Sequence, residues 1–113
     1  MNLSGKIIMA IGGGTQAYRC VQRLLGSGAT IWVISKDFSV EFMRLVEERK
    51  VALLKTEIKV AKKFVDSLNP KPSVLLAATS DRALNFELAM AAKAYGSQVY
   101  AVDDPSVSDF ALS

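Results

Sequence analysis

Gly12-Gly13-Gly14-Thr15-Gln16-Ala17 follows the spacing G-x-G-x-x-A and comes straight after the apolar run Ile7-Ile8-Met9-Ala10-Ile11. In that setting each small residue has a task. Gly12 allows a tight turn, Gly14 lets the backbone approach a pyrophosphate, and Ala17 lets the next helix pack close to the strand. The first amides of that helix would then meet a phosphate with unpaired N–H groups and a partial positive charge. A glycine turn that merely joins strand to helix is the competing reading. The position of the loop, between a strand and a helix, favours the phosphate site.

Three further groups of residues bear on the same chemistry. In a dinucleotide site an acidic residue about 20 positions on holds the ribose, but here Ser35-Lys36 stands there, followed by Asp37. Lys36 suits the 2′-phosphate of NADP, whereas Asp37 or the Ser35 hydroxyl suits the ribose of NAD. A solvated turn before a helix capped by Asp37 or Ser39 explains these residues equally well. Thr79-Ser80-Asp81 with Asn85 reads equally well as part of the site or as a helix cap with local hydrogen bonds, the cap being favoured for Asp81, and Asp103-Asp104-Pro105 reads as a turn at a strand end. Lys59, Lys62 and Lys63 have no interleaved aromatics, as nucleic-acid patches usually do, and fit the wet face of a helix. Cys20 falls on the apolar side of the first helix and fits a core position.

Composition narrows the chemistry. There is one cysteine and no histidine, so an internal disulfide, the usual zinc and iron sites and Ser-His catalysis are excluded. Fourteen Lys plus Arg against eleven Asp plus Glu give a formal charge of +3, without a block of like charge. That balance suits an anionic small ligand. Half of the residues are apolar and 22% are charged, the profile of a soluble globular chain with a real core. No apolar run approaches the roughly 20 residues needed to span a bilayer. The N-terminal run is interrupted by glycines before it reaches a signal-peptide core of about 7 to 15 residues. A cytoplasmic, reduced setting is expected, with no membrane and no nucleic-acid partner.

The elements that must position these residues alternate. Short apolar or β-branched runs predict strands over 7–11, 30–35, 51–54, 73–78 and 98–102. Helical spacing predicts helices over 15–25, 40–49, 60–68 and 83–95. Gly26-Ser27-Gly28, Asn69-Pro70-Lys71-Pro72, Gly96 and Asp104-Pro105 supply the stops. Strand and helix in alternation over short connections require right-handed crossovers. The expected fold is therefore α/β, a Rossmann-like doubly wound parallel sheet of five strands in the order 3-2-1-4-5. Its 113 residues fit one dinucleotide-binding domain over 1–113.

Four segments together resemble one family. They are Gly12-Gly13-Gly14 with Ala17 and Arg19, Ala77-Ala78-Thr79-Ser80-Asp81 with Asn85, Val102-Asp103 with Pro105, and Ser108-Asp109-Phe110. Their order and spacing resemble the precorrin-2 dehydrogenase domain of siroheme synthases. The resemblance covers essentially the whole chain, but only the N-terminal, dinucleotide-binding part of that family; there a dimerisation segment and a small helical domain follow the position of Ser113. This chain departs from the family at Ser35-Lys36, where relatives often carry Ala-Pro, and at Asp104, where a small residue is common.

The resemblance implies NAD as cofactor and oxidation of precorrin-2 to sirohydrochlorin, a reaction that some members follow by inserting ferrous iron. It implies that Asp103 is the general base. The glycine loop with Thr15, Gln16 and Ala17, residues 35–37, Thr79 and Ser80 are expected to hold the cofactor, and no resident metal is expected. A second copy or a complementing chain is expected to complete the tetrapyrrole pocket. A nucleotide-sensing regulatory module without chemistry of its own is the alternative, since the fold alone cannot choose.

Overall fold

The computed structural model describes residues 2–112. Five strands, β1 (Ile7–Ile11), β2 (Thr30–Ser35), β3 (Ala52–Lys55), β4 (Val74–Ala77) and β5 (Gln98–Ala101), alternate with four helices, α1 (Thr15–Leu24), α2 (Val40–Glu47), α3 (Ala61–Ser67) and α4 (Arg82–Lys93). The strands are parallel throughout and their order is β3-β2-β1-β4-β5, as the alternation requires. β1 sits in the middle, and its five residues read as an unbroken apolar run because both faces of a central parallel strand are covered.

Two apolar clusters sandwich the sheet. One gathers Ile8 and Ala10 of β1 with Ala17, Cys20 and Val21 of α1 and Phe42 and Leu45 of α2. The other joins Ile11 and Ile34 to Ala61 and Val65 of α3 and to Leu88, Ala89 and Ala92 of α4. Phe42 is fully buried and meets Tyr18 edge-on at 5.5 Å between ring centroids and Phe38 at 6.2 Å. Such edge-to-face pairs add about 0.5–1.5 kcal/mol beyond the area they bury. They fix the β2–α2 loop, which carries Lys36 and Asp37, against α1.

Element ends differ from the sequence reading by one or two residues. The largest offsets are at α2 and α4, which end two residues early; β3 is displaced by one, since Val51 is buried but unpaired while pairing runs on from Ser35 to Lys55. The last residues carry a structural role of their own. Ser108 and Asp109 lie along the free edge of β5, where the Asp109 N–H donates to Val99 O at 2.8 Å. The Val99 N–H donates to Asp109 Oδ2 at 2.8 Å, and the Ala101 N–H donates to Ser108 Oγ at 3.0 Å. Lys93 Nζ stands 3.3 Å from Asp109 Oδ1. Side chains thus take the place of a sixth strand and close an edge that would otherwise invite pairing with another chain.

Candidate functional site

The loops after β1, β2 and β4 open at the carboxyl edge of the sheet, where ligands of doubly wound folds bind. They enclose a cleft of about 650 Å3 lined by Gly12, Gly13, Gly14, Thr15, Gln16, residues 35–39, Ala78, Thr79 and Ser80. Ten of the eleven residues expected to hold the cofactor thus share one crevice. The eleventh, Ala17, lies beneath it, fully buried in the core.

The three glycines are not equivalent. Gly12 has φ +131°, and a Cβ there would come within 2.3 Å of Ala78 O; its N–H donates to Ile34 O at 2.9 Å. A Cβ on Gly13 would come within 1.8 Å of Asp37 O, and its carbonyl accepts the Ser39 N–H at 2.8 Å. Both therefore knit the loop to β4 and to the loop after β2. Gly14 is different: it is the N-cap of α1, and a Cβ on it would meet nothing within 4 Å. Because Gly14 has no side chain, nothing caps the helix start, whose first amides have no intrahelical acceptor. That open, electropositive cradle fits a pyrophosphate.

At the tip of β2 the residues are polar. Lys36 and Asp37 are exposed, and Ser35 Oγ accepts the Asp37 N–H at 3.4 Å. Asp37 does not cap α2; Ser39 occupies the N-cap position, and its side chain makes no cap bond. Beside this tip a smaller hollow of about 280 Å3 brings in Thr56, Glu57 and Ile58 from the loop after β3. The sequence reading missed these three. The parallel register that pairs Ser35 with Lys55 puts them there, and a strand order of 3-2-1-4-5 would have been enough to find them.

The end of β4 is tied down by Asn85. Asn85 Oδ1 accepts the Thr79 N–H at 3.0 Å and the Thr79 hydroxyl at 2.6 Å. Asn85 Nδ2 donates to Thr79 O at 3.0 Å and to Asp103 Oδ1 at 3.4 Å. Asn85 is 0% exposed. Asp81 is a cap, as its sequence setting suggests: its Oδ1 accepts the Leu84 N–H at 3.1 Å. Asp103 lies just beyond β5, exposed, at the rim of the cleft and not in its wall. Asp104 is a cap for the short 3₁₀ turn Pro105–Val107, accepting the Ser106 N–H at 3.2 Å. The two adjacent aspartates therefore have different surroundings. Among the described residues, no three or more His, Cys, Asp or Glu side chains gather as a metal site would need, and no helix is long and apolar enough to cross a membrane. Lys62 pairs with Asp66 at 2.7 Å on the exposed side of α3. Cys20 is buried in the core, and burial pushes its thiol pKa up.

A parallel sheet in this order, with a glycine cradle at the start of the first helix, defines a dinucleotide-binding α/β domain. The family described as "Putative NAD(P)-binding" matches residues 1–113, and the chain belongs to it. Its cofactor class is accordingly a nicotinamide dinucleotide. The chain is 32% identical over 106 residues to the siroheme synthase of Pseudomonas paraeruginosa, a match covering 94% of this chain and 22% of that protein. It is 30% identical over 109 residues to the siroheme synthase of Neisseria meningitidis serogroup C, covering 96% and 22% respectively. The solved structure of "SirC, precorrin-2 dehydrogenase" superposes with a TM-score of 0.65 at 26% identity, over 78% of this chain and 41% of that one. The chain spans about a fifth of the length of the siroheme synthases it matches.

Proposed function

We propose that residues 1–113 form a single domain that binds NAD along the glycine edge and takes part in the oxidation of precorrin-2 to sirohydrochlorin in siroheme biosynthesis, in the cytoplasm. One observation supports this reading above the others. The open cradle at Gly14 and the Asp103 carboxylate stand on the same edge of the sheet, and the relatives at this level of similarity are siroheme synthases and a precorrin-2 dehydrogenase.

Gly12, Gly13, Gly14, Thr15, Gln16 and Ala17 would hold the pyrophosphate through backbone amides and the start of α1. Ser35, Lys36 and Asp37 would meet the adenosine ribose, and Thr79 and Ser80 the opposite wall. Bound NAD supplies the hydride acceptor. Removal of a hydride from precorrin-2 leaves a cation that must also lose a proton. Asp103, exposed beside the cleft, takes that proton and passes it to water. A second copy or another chain completes the tetrapyrrole site.

The test separates binding from chemistry. Asp103→Asn preserves shape and removes the base, so NAD affinity persists while oxidation falls by about 10²- to 10⁴-fold, the usual contribution of a general base. Asp104→Asn, which disturbs only a turn, has a mild effect. Intact turnover in both variants would sink the mechanism. An unaltered protein that binds NAD but never oxidises precorrin-2, even with its partner present, would instead be a nucleotide-sensing module.

A further inference from the structure

We infer that Asn85 is a positioning residue, one that holds the Asp103 carboxylate through Nδ2 and the Thr79 wall of the cleft through Oδ1. The inference rests on the reading of Asp103 as the base. Asn85 shares the inward stripe of α4 with Leu88, Ala89 and Ala92, where a buried amide is costly unless its bonds are made. Capping does not explain it, because Asp81 already caps α4.

The orientation of the amide follows from its neighbours. The Thr79 N–H can only donate, so the atom facing it at 3.0 Å must be Oδ1, and a flipped amide would set donor against donor. Nδ2 is thereby directed at Thr79 O and Asp103 Oδ1. Among the described residues, Asn85 is the only hydrogen-bond partner of the Asp103 side chain. At 3.4 Å the bond is long, but hydrogen bonds of catalytic groups often tighten only in the substrate complex. A single side chain thus sets the distance between the base and the cofactor wall. Leucine would fill the space and leave the Thr79 N–H unpaired, and aspartate would keep an acceptor for the Thr79 N–H and hydroxyl but present an acceptor to Thr79 O as well as to Asp103.

Asn85→Asp in the intact protein is therefore the discriminating change. It retains the oxygen that accepts from Thr79 and replaces the donor that Thr79 O and Asp103 share, adding repulsion toward both. The clash at Thr79 O weakens NAD binding to the same extent with or without Asp103, while kcat falls about 10- to 100-fold only where Asp103 is present, the effect of a misplaced catalytic group. Made in the Asp103→Asn background, the same change should cost no further kcat, because that loss acts through one group. Equal losses of kcat in both backgrounds would overturn the inference and leave the base reading intact. Intact turnover in Asp103→Asn would overturn both. Since a buried carboxylate can unfold a protein, a second measurement leaves Asn85 in place. The Asn85 side-chain amide signals in 15N NMR should shift in Asp103→Asn and hold still in Asp104→Asn; no shift in Asp103→Asn refutes the contact.

Discussion

What a single added methyl group would meet divides the glycine loop into a structural part and a functional part. At Gly12 it meets backbone at 2.3 Å with φ at +131°, so Gly12→Val disrupts the fold. At Gly14 it meets nothing, and the cost of Gly14→Val to stability is confined to a poorer N-cap, about 1 kcal/mol. Calorimetric titration should find Gly14→Val folded and unable to bind NAD; unchanged affinity would refute the phosphate assignment. Lys36 decides a second question. Among the described residues its charge has no ion-pair partner, against the expectation of NAD drawn from family resemblance, while Glu57 offers an opposing charge in the adjoining hollow. NAD should bind more tightly than NADP, and Lys36→Ala should leave that preference in place or sharpen it. A clear preference for NADP that Lys36→Ala abolishes would reverse the assignment. The roles of Gly12 and Ala17 were legible from spacing alone, because sterics dictate them. Asn85 was undervalued because threonine, serine and aspartate upstream made it look like part of a cap. The signal was its place in the 85, 88, 89, 92 stripe, where an amide has no reason to sit without partners.

Among the elements, the apolar runs revealed the strands because a parallel sheet is covered on both faces, and glycines and prolines revealed where they stop. Hydrogen bonds made outside an element were invisible, which is why β3 is displaced by one residue and why α4 ends two residues early. The same limit hid the task of Ser108-Asp109. Their side chains bond the β5 backbone across the free edge, an arrangement with no periodic signature. Removing the Asp109 carboxylate leaves the Val99 N–H unpaired and frees Lys93. Asp109→Ala should therefore lower stability by about 1–3 kcal/mol, the range for a buried donor left without a partner. The midpoint of urea unfolding reads that loss. A midpoint equal to that of the unaltered protein would show that the edge is held by the backbone bond of residue 109 alone.

For the molecule as a whole, crossover handedness and chain alternation were enough to give the order β3-β2-β1-β4-β5, but nothing in one sequence says how many walls a binding site has. The cleft of about 650 Å3 lies within the range of roughly 300 to 1,000 Å3 that holds one small ligand. A dinucleotide would fill it, and Asp103 stands outside it, exposed. A tetrapyrrole brought against Asp103 would therefore rest on one surface with its other face in water. An open site of that kind neither excludes solvent nor fixes the reacting carbon against the nicotinamide, and positioning alone accounts for about 7–11 kcal/mol of catalysis in well-oriented systems. Residues 1–113 on their own should bind NAD with ordinary affinity but oxidise precorrin-2 slowly. The rate should rise when a second copy associates or the complementing chain is added. Sedimentation and turnover measured over the same range of protein concentration provide the check. A species that sediments as a monomer and turns over at about 1 per second or faster, a rate typical of enzymes, would show that this one surface suffices and that no partner is needed.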